Sequence, residues 1–362
     1  MRATAVHQVV PSLVRWDAIG NHSLQVQSVL RDMGMESDIY VNDVGPEYAS
    51  KARPYDQYRP QPGAWLLYQA STGSRLASWF AQRPEPKLVN YHNVTPPQFF
   101  ERWEPRLADE MADGRRQISK LAGSVRHGIA VSRYNEQELV DFGYRSTSTS
   151  PLMVDMSSFE HEPDPATSSW FDRLRQDGGA DLLFHGRIVP NKAQHDLVKV
   201  LVAYRRLFDP NARLHLTGGA SSGSYHFALR RFIGTQALWD AVDMAGSVSG
   251  QELTAYFRAA DVYVSMSEHE GFGAPLLEAM HNGVPIVAYA SSAVPETVGD
   301  AALLLPGKDP VLAAAAIHRV RTDPVLREEL VASGRRRLAQ LGLSNTRRSM
   351  REALTRALGE AG

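Results

Sequence analysis

Short apolar, β-rich runs alternate with stretches of helical spacing, and this alternation constrains the fold of the chain more than any other feature. It is typical of repeated βα units, because neighbouring parallel strands need a crossover connection that is usually a helix. The predicted strands are Ala3–Val10, Asp38–Val41, Trp65–Tyr68, Lys87–Tyr91, Gly128–Val131, Asp181–Phe184, Arg213–Leu216, Val262–Val264, Pro285–Ala288 and Ala302–Leu305. The predicted helices are Asn21–Met33, Ser74–Ala81, Pro105–Ala122, Tyr134–Phe142, Lys192–Leu207, Tyr225–Phe232, Gly250–Ala259, Pro275–His281 and Pro310–Arg321. The pattern predicts an α/β protein with two open parallel sheets in tandem.

A polar segment rich in serine and proline, Arg145–Ser169, separates the two halves and is the best candidate for a linker. A chain of 362 residues also fits two domains. We therefore predict one domain over residues 1–154 and a second over 155–342, with Thr149–Val154 as a possible last strand of the first. In open α/β sheets, ligands bind beyond the carboxyl ends of the strands, so two such domains predict a ligand site in a cleft.

Composition excludes several classes of protein. Lys and Arg total 39 against 40 for Asp and Glu, and this net charge of −1 argues against a nucleic-acid binder or a polybasic membrane anchor. The absence of cysteine excludes disulfides, thiolate metal sites and cysteine nucleophiles, and it fits a reducing compartment. Met1–Leu13 makes a poor signal peptide, and the apolar runs are shorter than the roughly 18 residues of a membrane span. We expect a cytoplasmic protein with at most peripheral membrane contact.

The segment Ser265–Pro285 carries the clearest chemical signal. It runs from the end of an apolar strand through the turn Gly271–Gly273 into a helix, with Pro275 suited to the first helical position. Such a turn exposes backbone N–H groups at the positive end of a helix, where phosphate oxygens bind. Glu270 and Glu278 flank the turn and can face one pocket. Because two carboxylates repel a phosphate, they suit hydroxyl donors such as a sugar and a ribose.

The spacing Glu270-Gly-Phe-Gly-x-Pro-x-x-Glu278 resembles the signature of family-4 retaining glycosyltransferases, the glycosyl transferases group 1, which have the GT-B fold. Further segments resemble that family in the same order: Phe184–Lys192, Leu216–Gly219, Ala245–Leu253, Val294–Glu296 and Pro306–Gly307. The resemblance covers about Asp181–Asp309. It implies two Rossmann-like domains facing each other across a cleft, the first on the acceptor side and the second binding the donor. It also implies that a last helix, about residues 343–362, returns to the first domain.

The resemblance implies a role for each matching position. Arg187 and Lys192 would clasp the donor diphosphate and stabilise the charge that develops as it leaves. Glu270 would accept hydrogen bonds from the sugar hydroxyls, and Glu278 from those of the nucleotide ribose. Other positions implied in donor binding are Gly186, Gly246, Ser249, Gly271, Phe272 and Gly273.

No cofactor and no metal ion are expected. The resemblance implies that the two cations and the helix N-terminus take the role that a metal has in other glycosyltransferases. The sequence contains no Asp-x-Asp, the metal-binding motif of the alternative GT-A fold, and its histidines show no spacing typical of zinc. The expected reaction is metal-independent transfer with retention of configuration.

The first half resembles the family less closely. His92 follows a predicted strand within Leu88–Pro96, which resembles a His-Asn-x-Thr-Pro segment of some members, and it is predicted to position the sugar or the acceptor. Gly20 is predicted in the first strand-to-helix loop, Asp17–Asn21, where many members have two glycines and this chain has one. The acceptor, a saccharide, a lipid-linked saccharide or a small molecule, is not specified, and neither is the choice between UDP and GDP.

Other interpretations fit parts of the sequence. Glu270 and Glu278 could merely stabilise a helix dipole, and His92 could be a hydrogen-bonded structural histidine. The glycines of Gly218–Gly223 have P-loop spacing, but Ser224 stands where that motif needs lysine. The main expectation is a retaining transferase moving a sugar from UDP- or GDP-sugar to a hydroxyl, in polysaccharide, glycolipid or natural-product biosynthesis. The alternatives are a catalytically silent sugar-nucleotide-binding protein and a non-transferase GT-B enzyme such as an epimerase.

Overall fold

The computed structural model describes residues 3–14 and 18–359, and the chain divides into two compact units. Unit 1 comprises Met1–Glu101, Pro105–Val154 and Leu341–Gly362. Unit 2 comprises Arg102–Glu104 and Asp155–Gln340. Each unit contains one parallel sheet with helices, which confirms the predicted α/β class with two sheets.

The sheet of unit 1 has seven strands and that of unit 2 has six, and all strand pairs are parallel. The strands of unit 1 are β1 (Ala5–Leu13), β2 (Ile39–Val44), β3 (Arg53–Pro54), β4 (Ala64–Ala70), β5 (Lys87–Tyr91), β6 (His127–Ala130) and β7 (Thr147–Thr149), in the order β3-β2-β1-β4-β5-β6-β7. Those of unit 2 are β8 (Asp181–His185), β9 (Arg213–Thr217), β10 (Val242–Gly246), β11 (Val262–Ser265), β12 (Ile286–Tyr289) and β13 (Ala302–Leu305), in the order β10-β9-β8-β11-β12-β13. Central strands such as β4 and β5 are buried along their whole length, as expected when helices cover both faces.

Helices connect the strands and follow the last of them. They are α1 (Ala18–Asp32), α2 (Arg75–Gln82), α3 (Pro105–Leu121), α4 (Arg133–Asp141), α5 (Pro165–Gln176), α6 (Gln194–Leu207), α7 (Gly223–Thr235), α8 (Gly250–Ala259), α9 (Ala274–His281), α10 (Val294–Val298), α11 (Pro310–Thr322), α12 (Pro324–Leu341) and α13 (Leu343–Gly359). Within residues 3–14 and 18–359, none of them combines the length and the apolar character needed to cross a bilayer.

The C-terminal helix α13 packs into the core of unit 1. Its residues Met350 and Leu354 are fully buried in the same hydrophobic cluster as Val26 and Leu30 of α1. Arg347 at its start donates hydrogen bonds to the side chains of α1, including one of 2.7 Å to the carboxylate of Asp32. The last helix thus belongs structurally to the first half of the sequence.

Several elements differ from the sequence-based prediction, among them β10, α5 and the last strand of unit 1. Strand β10 was not predicted, because Val242–Gly246 contains an aspartate and only half-buried residues after Val242. Helix α5 begins inside the predicted linker, where Asp164 caps it through a 2.7 Å hydrogen bond from the Thr167 N–H. The last strand of unit 1 is Thr147–Thr149, so the predicted strand Thr149–Val154 was wrong.

Candidate functional site

The turn between β11 and α9 in unit 2 forms the start of the site. Gly273 is the N-cap of α9 and has a φ of 88°, a left-handed conformation that glycine adopts without strain. Being glycine, it provides no side-chain cap for the first backbone N–H groups of the helix. The carbonyl of the buried Phe272 accepts a 2.5 Å hydrogen bond from the Thr297 hydroxyl, which holds the turn in place. The arrangement leaves the positive end of α9 suited to an anion.

Lys192 and Glu270 form an ion pair beside this turn. The distance from Lys192 Nζ to Glu270 Oε1 is 2.5 Å, and the two side chains are only 16% and 13% exposed. The Glu270 backbone N–H donates to the Ser292 hydroxyl over 2.7 Å, which fixes the backbone that carries the carboxylate. The ammonium group and the carboxylate are therefore adjacent. A phosphate could bind the ammonium group, and a sugar hydroxyl could donate a hydrogen bond to the carboxylate.

Asn191 explains why the pair forms, and the sequence interpretation missed it. The Asn191 carbonyl accepts a 2.8 Å hydrogen bond from the N–H of Glu268, and its side chain donates one of 3.2 Å to the carbonyl of His269. These bonds attach the short 3₁₀ turn Pro190–Lys192 to the segment that follows β11. Asparagine beside the predicted lysine was the available signal, since its amide can bridge two backbone segments.

Glu278 lies in α9, and only 13% of its side-chain surface is exposed. Burial raises the pKa of Glu278 to about 8. Burial also lowers the pKa of His185 to about 4, so this histidine, 3.9 Å from the Glu278 carboxyl group, is neutral at pH 7. With a pKa of about 8, most of Glu278 is protonated at neutral pH and presents one O–H donor and one carbonyl acceptor. One donor and one acceptor suit the two hydroxyls of a diol. The sequence interpretation did not single out His185 as a neighbour of Glu278.

Gly186, Gly218 and Gly246 lie at the carboxyl ends of three adjacent strands of unit 2. The Gly186 N–H donates to the Thr217 carbonyl, and the Gly218 N–H donates to the Gly246 carbonyl over 2.7 Å. Gly218 has a φ of 129°, and a Cβ atom there would lie 2.2 Å from the Gly186 carbonyl oxygen. Only glycine permits this close approach of the two strand ends.

Arg187 and Ser249, the other predicted donor-binding side chains of unit 2, have very different surroundings. Arg187 is exposed, and its guanidinium group has no ion pair or hydrogen bond with the part of the chain that the structure describes. Ser249 is the N-cap of α8, where its hydroxyl accepts from the N–H of Glu252, whose carboxylate accepts from the Ser249 N–H. The Ser249 side chain therefore has a structural role already, whereas Arg187 is available to a ligand.

The two predicted site residues of unit 1, His92 and Gly20, have different surroundings. His92 follows β5 directly, is buried, and lies 2.7 Å through Nε2 from the Gln69 side-chain oxygen. Gly20 was predicted in a loop, which is wrong: α1 starts at Ala18, so Gly20 lies in its first turn and is buried. Alanine and isoleucine before Gly20 extend the helix towards the N-terminus. Asp17, mentioned with Gly20, lies outside the described residues.

No group of three or more histidine, aspartate or glutamate side chains suited to holding a metal ion occurs among residues 3–14 and 18–359. The side chains described for the site form two pairs, Lys192 with Glu270 and His185 with Glu278. Within that part of the chain the site therefore offers a cation, carboxyl groups and backbone N–H groups rather than a metal cage.

Comparison with known proteins gives a family match over the segment that contains these residues. The family model described as glycosyl transferases group 1 matches residues 168–337, which contain the whole arrangement in unit 2 described above. The matched segment makes up 170 of the 362 residues, and over it the chain resembles this family. The match thus covers most of unit 2, with the glycine turn and the ion pair, and all of unit 1 lies outside it.

Two curated relatives are about equally similar to the chain and differ in the substrates that their names specify. The chain is 32% identical over 211 residues to a D-inositol 3-phosphate glycosyltransferase of Pseudarthrobacter chlorophenolicus, covering 56% of this chain and 48% of that protein. It is 32% identical over 194 residues to a GDP-mannose-dependent alpha-(1-6)-phosphatidylinositol monomannoside mannosyltransferase of Mycobacterium tuberculosis, covering 51% and 48%. The chain thus matches about half the length of these relatives.

Solved structures resemble the chain over nearly all of its length. Anabaena HepE in complex with UDP-glucose has a TM-score of 0.73 at 17% identity, covering 97% of this chain and 99% of that one. Sucrose-phosphate synthase from Thermosynechococcus elongatus has a TM-score of 0.72 at 20% identity, covering 99% and 100%. These likenesses, together with the two parallel sheets, confirm the predicted GT-B fold class.

Proposed function

We propose that this protein is a glycosyltransferase that moves a sugar from a nucleoside-diphosphate sugar to a hydroxyl acceptor. The observation that carries the proposal is the Lys192–Glu270 pair beside the uncapped start of α9. In a sugar nucleotide, the anomeric carbon of the sugar is bonded to an oxygen of the diphosphate, so a phosphate and the sugar hydroxyls lie on either side of this bond. A cation and a carboxylate 2.5 Å apart match the two sides of that bond.

Each side chain of unit 2 then has a role that its surroundings support. Lys192 and the exposed Arg187 bind the diphosphate and stabilise its charge as the bond to the anomeric carbon breaks. Glu270 accepts hydrogen bonds from hydroxyls of the sugar. Glu278, protonated at neutral pH, exchanges hydrogen bonds with the ribose diol. Backbone N–H groups of Phe272 and Gly273 hold a phosphate at the helix start.

The proposed reaction retains the configuration of the anomeric carbon. The bond from that carbon to the phosphate oxygen breaks, and a bond to the acceptor oxygen forms on the same face of the sugar. The acceptor proton passes to the leaving phosphate oxygen, so no carboxylate nucleophile is needed. Arg187, Lys192 and the N-terminus of α9 supply the positive charge that the leaving diphosphate requires, without a metal ion.

The substrates in the names of the relatives and of a structural neighbour define a panel of donors and acceptors to test. One relative's name specifies GDP-mannose, another specifies inositol 3-phosphate, and a protein of the same fold was crystallised with UDP-glucose. We therefore propose a UDP- or GDP-sugar as donor and an inositol-type or saccharide hydroxyl as acceptor. His92 is proposed to position the sugar or the acceptor.

The experiment combines binding with transfer. Thermal unfolding with UDP, GDP or ADP identifies the base, because a ligand of the folded state raises the unfolding temperature. Transfer is then measured with the matching sugar nucleotide and inositol 3-phosphate, with and without a chelator, and NMR of the product gives the anomeric configuration. We expect transfer with retention that survives chelation. Nucleotide binding without transfer or donor hydrolysis would instead favour a silent sugar-nucleotide-binding protein, and an altered sugar on the nucleotide would favour an epimerase.

A further inference from the structure

Three neighbouring strands of unit 1 carry amide side chains inside the sheet core. Gln8 on β1, Gln69 on β4 and Asn90 on β5 each have 0% of their surface exposed. Interior positions of parallel sheets are normally apolar, and a buried amide is destabilising unless it is hydrogen-bonded. The hydrogen bonds of these amides form a chain that leads to His92.

The direction of this hydrogen-bond chain is set by one backbone carbonyl. The Ser23 carbonyl can only accept, so the group of Gln8 that lies 2.9 Å from it is the amide nitrogen. Gln8 Oε1 then faces Gln69 and accepts a 2.7 Å hydrogen bond from its Nε2. This orientation turns Gln69 Oε1, an obligatory acceptor, towards His92.

His92 receives its protonation pattern from that oxygen. Burial, with a smaller effect of the neighbouring His22, holds the pKa of His92 well below its usual value, so the ring is neutral and has a single N–H. Nε2 lies 2.7 Å from Gln69 Oε1, which also accepts a 3.0 Å hydrogen bond from Asn90, and must therefore be the donor. Nδ1 is left as an acceptor, and it has no partner in the part of the chain that the structure describes.

We propose that Gln69, oriented by Gln8, is a positioning residue that keeps His92 in the Nε2–H tautomer and leaves Nδ1 to accept a hydrogen bond from a substrate hydroxyl. The identity of the hydroxyl donor rests on the proposed glycosyl transfer. The tautomer does not, because it follows from hydrogen bonds within unit 1 alone. The proposal therefore has two parts that separate experiments can decide.

The first experiment reads the tautomer directly. Nitrogen NMR of the histidine-labelled protein at neutral pH, with the His92 signals assigned from a His92→Gln variant, should show a protonated Nε2 and an unprotonated Nδ1. Gln8→Leu leaves the Gln69–His92 contact in place but removes the group that orients Gln69, and it should produce a mixture of tautomers. Gln27→Leu is the matched control, because Gln27 is a buried amide that donates to the Ser37 carbonyl over 2.9 Å outside this chain of bonds. A wild-type ring protonated on Nδ1, or a Gln8→Leu spectrum identical to wild type, would overturn the assignment.

The second experiment asks whether a substrate hydroxyl uses Nδ1. In the transfer assay, Gln69→Leu should lower kcat/KM about tenfold, the effect of losing about one hydrogen bond, while its unfolding temperature falls no further than that of Gln27→Leu. Substrates that each lack one hydroxyl are then compared, and one of them should abolish the difference between wild type and Gln69→Leu. If none does while the tautomer is as proposed, the partner of Nδ1 is water and the substrate role is overturned. If the wild-type protein transfers no sugar at all, the proposed function and the substrate role fail together, and the NMR result still decides the tautomer.

Discussion

The ammonium group of Lys192 lies 2.5 Å from the carboxylate of Glu270, although the residues are 78 positions apart in the chain. The loop before α6 carries the first residue and the segment after β11 carries the second, and Asn191 holds the two backbones together. In the free protein the two charges satisfy each other. A bound sugar nucleotide would replace this contact with one partner for its phosphate and another for its sugar.

Replacing either member of this pair should abolish most of the proposed transfer. Lys192→Met and Glu270→Gln should each lower kcat by about 100-fold, the usual effect of removing one group that stabilises the transition state. Lys199→Met is the matched control, because Lys199 forms a 2.7 Å ion pair with Asp196 on α6 and is half exposed. Steady-state kinetics with the donor found by thermal unfolding provides the measurement. Full activity of both site variants would contradict the proposed roles.

Arg187 should matter for ligand binding and not for stability. Its guanidinium group is exposed and has no partner in the described part of the chain, so Arg187→Met should leave the unfolding free energy unchanged while the Kd for the nucleoside diphosphate rises at least tenfold. Arg213→Met offers the opposite case, because Arg213 is paired with the buried Asp181 at 2.8 Å. Loss of that pair should cost about 3 kcal/mol of stability. Denaturant unfolding and titration calorimetry separate the two effects, and a strongly destabilised Arg187→Met protein would refute this distinction.

Glu278 should make stability depend on pH. The folded protein keeps a proton on Glu278 up to its pKa of about 8, whereas the unfolded chain releases that proton near pH 4.5. Between these values the folded state binds more protons, so this group's contribution to stability falls as pH rises, by up to ~1.4 kcal/mol per pH unit.

Glu278→Gln should remove this contribution. The stability of the variant relative to wild type should therefore rise steadily from pH 5 to pH 8 and then level off, as measured by denaturant unfolding at each pH. The lowered pKa of His185 acts at lower pH, where stability is lost as pH falls from 6.5 towards about 4, and this effect is common to both proteins. Glu329→Gln, at an exposed position of α12, serves as the matched control for removing one carboxyl group. A difference that does not vary with pH would contradict the raised pKa of Glu278.

Gly273 should be hard to replace at the start of α9. An alanine there would keep a φ of 88° and place its Cβ 2.9 Å from a methyl group of Leu276. The left-handed conformation alone should lower the unfolding free energy by about 1–2 kcal/mol, and the shifted helix start should weaken nucleotide binding. Gly223→Ala is the control, because Gly223 begins α7 with open space around it and no positive φ. Equal stability of the two alanine variants would rule out a required left-handed residue at position 273.

Much of the fold could be read from local patterns. The alternation of apolar strands and helical spacing was sufficient to predict most of the strands, including Lys87–Tyr91 and Ala302–Leu305 without error. Local patterns failed where an element lacks a strong apolar signal or begins with a cap inside a polar segment, as in β10 and α5. The start of α1 was also misplaced, because Gly20 in a helical first turn looks locally like a loop residue.

The order of motifs and the glycine turn before α9 are properties of the sequence itself, because helix caps and turns depend on residues close together in the chain. The ion pair of Lys192 with Glu270 depends on the tertiary structure, which brings together loops from distant strands. The pKa of about 8 for Glu278 likewise results from burial by surrounding elements. The tautomer of His92 depends on Gln69 and Gln8, which lie on two other strands of the sheet. Charge, desolvation and hydrogen-bond direction at a site are set by neighbours in space, and these neighbours exist only once the chain has folded.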